Sequence, residues 1–186
     1  MRPVHPHTLL GLISGFLLCI FATFAACVLP AHALSVPTEV IPLLNELHKQ
    51  GVEVRVDNAQ ACSRPVWGSY NSPKGTIDIC TKGTGQWGSQ QTATLRHESH
   101  HAAQDCAGRV RGNGWLVPLH QTEDDLMEFI EQSGLSEQTI ERIVEVYGEA
   151  GASEMTIVLE IETFATERSM TADQVAGELQ TWCRAE

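Results

Sequence analysis

Residues 97–101 read His-Glu-Ser-His-His, a grouping whose residue types and spacing could do chemistry together. His97 and His101 stand four positions apart. On a helix that spacing puts two side chains on one face, one turn apart, so both imidazoles can reach a single Zn2+ at about 2.0–2.1 Å. Glu98 follows the first histidine by one position, about 100° around the helix. From there its carboxylate can touch a metal-held water without binding the metal, as a general base must. Zinc lowers the pKa of such a water toward about 7, and Glu98 takes the proton as the water attacks a polarised carbonyl. The chemistry expected is hydrolysis. His100, three positions after His97, edges toward the same face but is expected at the surface.

A catalytic zinc needs a third protein ligand and one open position. The segment Val158 to Ala165 offers Glu160 and Glu162. Stepping about 100° per residue, Met155, Val158, Leu159, Ile161 and Ala165 form an apolar face; Glu162 falls inside it and Glu160 points to the opposite, wet side. A carboxylate on a core-facing stripe is costly unless a cation compensates it. Glu162 is therefore expected as the third ligand, with Glu160 as the fallback; Arg168 or Arg96 would be the alternative partner for Glu162. Hydrolysis also needs a donor aimed at the developing oxyanion, and Tyr70, Tyr147 and His120 can each supply one. Trp67, Trp87, Trp115 and Trp182 are expected to pack. Trp115, between glycines and Pro118, could instead line a substrate pocket on a lid-like loop.

The element that must position these residues is a helix from Ser89, as N-cap, to about Cys106, stopped by Gly108. Ahead of it, a helix begins at Thr38 and ends at Gly51, and Val52 to Val56 alternates as a half-buried strand. Val66 to Tyr70, a turn at Asn71 to Gly75, and Thr76 to Cys80 read as strand, turn, strand. The strand from Thr76 to Cys80 is expected to hold an extended peptide by β-addition. The glycine-rich stretch Gly83 to Gly88 lacks a phosphate-loop pattern and reads as a connector. Helices follow at Glu123 to Gln132, Ser136 to Tyr147, Ser153 to Ser169 and Thr171 to Cys183. The acidic run Glu123-Asp124-Asp125 suits a helix's first turn better than a calcium loop. Strands first and helices after make the fold class α+β: a small antiparallel sheet followed by a mostly helical part.

With those elements around it, His97-Glu98-x-x-His101 resembles the zincin metallopeptidases. Glu162 on a helix some sixty residues later makes it similar to a minimal form of their gluzincin branch. The resemblance spans roughly Val52 to Met170. It implies Zn2+ held by His97, His101 and Glu162, Glu98 as general base, and hydrolysis of peptide bonds in a peptide or protein substrate. The metzincin branch requires a glycine and a histidine after the second ligand, where this chain reads Ala102-Ala103-Gln104-Asp105-Cys106-Ala107. Thermolysin-like gluzincins carry an aspartate four residues beyond the ligand glutamate to orient a histidine. Thr166 stands at that position here, which leaves a backbone carbonyl or Asp105 for the task.

The length of 186 residues fits one domain plus a targeting segment. Lys and Arg number 12 against 23 Asp and Glu, a net charge of −11, and no basic cluster occurs, which argues against a nucleic-acid partner. Arg2, His5 and His7 precede an apolar run from Leu9 to Leu29 that ends in Pro30-Ala31-His32-Ala33. That is the pattern of a secretory signal peptide cleaved after Ala33, leaving residues 34–186 as a single domain with no stable membrane contact. An uncleaved anchor or lipid attachment at Cys27 are the alternatives. Cys62, Cys80, Cys106 and Cys183 remain, with no CxxC pair for a structural zinc. An even count in an exported chain reads as two disulfides, in a secreted or periplasmic protein. Three pairings are possible; Cys62 with Cys80 and Cys106 with Cys183 is the favoured one. Two other functional classes remain open: a non-catalytic secreted binding protein on a zincin scaffold, and a membrane-tethered module that docks through acidic helices.

Overall fold

Val40, Leu43 and Leu47 repeat at helical spacing and are wholly buried, which fixes the face that the first helix turns inward. A 3-10 turn at Thr38–Val40 leads into this helix, α1 (Ile41–Lys49), with Pro42 in its first turn, where no intrahelical donor is lost. The structure, a computed structural model, describes residues 35–183; the apolar N-terminal run, Cys27 and the expected cleavage point after Ala33 lie outside the described residues. Gly51, at φ +67°, turns the chain into β1 (Glu53–Val56). A loop then leads to β2 (Gly68–Asn71), a short 3-10 turn at Ser72–Lys74, and β3 (Thr76–Ile79).

The sheet is mixed where an antiparallel one was expected. Its order is β1-β3-β2, with β2 antiparallel to β3 and β1 parallel to it. The reason lies in the chain path: β2 and β3 form the tight hairpin, so β1, arriving earlier, is left to pair with the far edge of β3. Consequently β3 is central and all four of its residues are buried. Asp78, on the face opposite Ile77 and Ile79, is held by Arg55 through two bonds of 2.9 and 2.7 Å. Both edges of β3 are occupied, so the strand from Thr76 to Cys80 cannot take a peptide by β-addition. The free edges belong to β1 and β2.

The helix α2 (Ser89–Ala107) is capped by Gly88, one residue before the expected cap Ser89, and the Gly88 N–H donates to the Gln91 side chain at 3.0 Å. It crosses β2 at Gly68. A Cβ there would sit 2.5 Å from Thr94 Cγ2 and 2.8 Å from the Asp78 carbonyl, so this close approach requires glycine. Four helices follow: α3 (Glu123–Ser133), α4 (Glu137–Glu149), α5 (Glu154–Ser169) and α6 (Ala172–Trp182). Their caps are Thr122, Ser136, Ser153 and Thr171, each accepting from the N–H three residues on. α5 and α6 pack on α2, α6 also on α1, and α3 and α4 on α5.

The core joins α1, the sheet, α2 and α6 through Leu43, Leu47, Ile77, Ile79, Leu95 and Leu179, all fully buried. Each such side chain contributes about 1.5–3 kcal/mol. Disulfides Cys62–Cys80 and Cys106–Cys183 staple the loop after β1 to β3 and the end of α2 to the end of α6. Among the described residues no helix is long and apolar enough to cross a membrane. α2 buries polar residues as readily as apolar ones: His97, Glu98, Ser99, His100, His101, Gln104 and Asp105 are all buried. Polar groups in so dry a place need partners or a ligand.

Candidate metal centre

One face of α2 carries His97 and His101, whose rings meet edge to face with centroids 5.0 Å apart. Opposite them, α5 presents Glu160. Its carboxylate lies 3.5 Å from His97 Nε2 and 3.4 Å from His101 Nε2. One ligand atom from each of His97, His101 and Glu160 falls within 4.8 Å of the other two. Two imidazoles and a carboxylate form a donor set suited to zinc and related divalent cations. Glu160 Oε2 is buried and has no hydrogen-bond partner among the described residues; His97 Nε2, 3.5 Å away, faces it across a gap. The residues present fit a cation.

Glu162, expected as the third ligand, lies elsewhere. Its carboxylate is fully buried further along α2, where it accepts from the N–H groups of Leu119 and His120 at 3.1 and 2.8 Å and from Gln104 Nε2 at 2.7 Å. His120 Nδ1 and His100 Nε2 stand 2.7 and 3.3 Å from it. The sequence expectation gave α5 one wet face, carrying Glu160. α5 is covered by α2, α3 and α4, so the side that carries Glu160 is itself enclosed.

The two candidate ligand rings are aimed by their far nitrogens. His97 Nδ1 meets Glu167 at 3.1 Å, and His101 Nδ1 meets Gln104 Oε1 at 2.8 Å. A proton held on Nδ1 leaves Nε2 free as a ligand. Asp105, expected to help orient the imidazoles, instead accepts from the Tyr70 hydroxyl at 2.7 Å and the Gly112 N–H at 3.0 Å. Thr166 stands 3.2 Å from His100. Sequence reasoning missed Glu167 and Gln104, yet both had a signal: Glu167 is two turns beyond Glu160, and Gln104 three residues beyond His101. His100, expected at the surface, is fully buried, with Nδ1 2.8 Å from Glu178.

Electrostatics follow from burial and these pairings. Burial works against a charged His97, but Glu160 and Glu167 outweigh it and push the imidazole up to about 10. Burial likewise opposes ionisation of Glu160, and the imidazoles of His101 and His97 reverse that, holding it well below the usual carboxylate range. Glu98 goes the other way: burial raises it, only partly offset by His97 and His101. A carboxylate pushed up in this way is a better proton acceptor than a solvated one.

Glu98 opens with His97, His101 and Glu160 onto a cleft of about 380 Å3, walled also by Gly68, Ser69 and Tyr70 of β2, and by Leu116 and Tyr147. Of the three oxyanion candidates, Tyr70 donates to Asp105, and His120 is bound to Glu162 and stacked on Phe129 at 4.3 Å. Tyr147 reaches the cleft beside Glu160; burial and that neighbouring charge raise its pKa, so the phenol keeps its proton. Arg64, in the loop held by Cys62–Cys80, adds a cation to the wall that no sequence pattern announced. Beyond His101 and Glu160 a more apolar pocket of about 350 Å3 opens, lined by Trp115, Leu116, Met155 and Leu159. Trp115 is 69% exposed and Met155 52%, so Trp115 does line a pocket and does not pack into the core. Comparison of the chain with protein-family models, curated proteins and solved structures finds no match.

Proposed function

We propose that this chain is a zinc-dependent hydrolase, of zincin type, that cleaves peptide bonds in an exported compartment. The observation that carries the reading is the grouping of His97, His101 and the Glu160 carboxylate, one atom of each within 4.8 Å of the others, beside a buried Glu98 in an open cleft. A zinc ion held by those three residues would polarise a substrate carbonyl and acidify a water. Glu98 accepts the proton of the attacking water, its affinity for that proton raised by burial. Glu167 and Gln104 keep the imidazoles of His97 and His101 turned toward the site. Tyr147 donates a hydrogen bond to the oxygen on which charge develops.

The free edge of β2 runs along the cleft through Gly68, Ser69 and Tyr70, and an extended backbone pairs there by β-addition. The apolar pocket beside Glu160 takes a side chain next to the scissile bond. Two disulfides, together with the leader-like residues 1–33, support export to the periplasm or the extracellular space. The test is Glu98→Gln, assayed on an unfolded protein substrate alongside elemental analysis. The variant is expected to keep its zinc and to lose roughly 100-fold or more in kcat. Full turnover by that variant would refute the role given to Glu98, and turnover by neither form would favour a binding protein on the same scaffold.

A further inference from the structure

We infer that Glu162 is a positioning residue: through Gln104 it sets which nitrogen of His101 carries the proton, and so keeps Nε2 free for a cation. The inference rests on His97, His101 and Glu160 being the metal site. Both oxygens of Glu162 accept from backbone N–H groups, Oε2 from Leu119 at 3.1 Å and Oε1 from His120 at 2.8 Å, so the carboxylate stands there as an acceptor. Glu162 Oε2 therefore dictates that Gln104 turn its NH2 group toward it, at 2.7 Å, where that group also donates to the Leu159 carbonyl at 3.3 Å. The amide oxygen must then face the other way, and there it meets His101 Nδ1 at 2.8 Å. That oxygen cannot donate, so the proton belongs to Nδ1. A cation seated beside Glu160 would then meet the Nε2 lone pair.

The same carboxylate fastens the loop that walls the cleft. Its bonds to the Leu119 and His120 N–H groups, with the Val117 N–H donating to the Gln104 carbonyl at 3.2 Å, tie residues 117–120 to α2 and α5. Glu162 thus fixes one ligand's tautomer and the neighbouring wall from a single buried point. Its complete burial, otherwise costly for a carboxylate, is compensated by these donors.

The test is a double-substitution cycle on the full protein, with Glu162→Gln and Gln104→Leu made singly and together. Zn2+ affinity is read by competition with a chromophoric chelator. The tautomer of His101 is read by 15N NMR of metal-free protein, at a pH where the ring is neutral. Each single substitution is expected to weaken Zn2+ binding roughly 10-fold, the double no more than Gln104→Leu alone, and Glu162→Gln to replace the Nδ1–H form with a mixture. Gln104→Leu leaves the bonds from Glu162 to Leu119 and His120 in place, so it stands alone if Glu162→Gln does not fold. Additive losses, or an unchanged tautomer and affinity in either single variant, would overturn the inference. A wild-type chain that binds no Zn2+ would overturn the metal reading instead, and the NMR measurement on metal-free protein still decides the tautomer claim.

Discussion

Tyr147 comes to the cleft from α4, with its hydroxyl beside Glu160 and its proton held more firmly than in water. As the donor to developing negative charge it should matter in the transition state and little in the ground state. Tyr147→Phe is expected to lower kcat by roughly 100-fold with KM nearly unchanged, measured by steady-state kinetics on a fluorogenic peptide; an equal loss confined to KM would assign Tyr147 to substrate binding. At this scale the sequence was legible wherever spacing alone decides geometry. His97 and His101 share a face because four residues make about one turn. The choice between Glu160 and Glu162 was not legible, since two positions differ by about 200° and both carboxylates reach α2, Glu160 at His97 and His101 and Glu162 at His100 and Gln104. Tyr147 stood among three possible donors for the same reason: nothing local reports a distance to the site.

The pairing of α2 with α5 and α6 places a second set of ionisable groups behind the first. His100 lies fully buried between Glu162 and Glu178. Burial acts to lower its pKa, but those two carboxylates prevail and push it up to about 9. A folded-state value above the ordinary value of about 6.5 means that folding takes up a proton. The stabilisation is fully present below about pH 6.5 and is lost as pH rises through about 9. Unfolding free energy of the chelator-treated protein, followed by urea titration, is expected to fall across that window by up to roughly 2.7 kcal/mol per pH unit, with His100 and the likewise raised His97 contributing about equally. His100→Gln should remove about half of that slope, and a wild-type profile that is flat or rising there would contradict the arrangement. The caps and lengths of the helices could be read from hydroxyl residues followed by acids or amides, as at Ser136 and Thr171. The burial of His100 could not be read, because amphipathic patterning describes a helix with one covered face, and α2 is covered by β2, α5 and α6.

Across the whole molecule, the α+β order of small sheet followed by helices was legible in the alternation of Val52 to Val56 and in the long periodic segments after Ser89. The direction of β1 was not, because pairing partners far apart in sequence leave no local trace, and with it went the expectation that β3 is an edge. The disulfides fell where two loops and two helix ends had to be brought together. The proposed hydrolysis depends on one cation seated between α2 and α5. Crystals grown with Zn2+ and measured on either side of the zinc absorption edge would locate it. One anomalous peak is expected, about 2.0–2.2 Å from His97 Nε2, His101 Nε2 and a Glu160 oxygen. A peak bonded to Glu162, or no peak between the two helices, would contradict it.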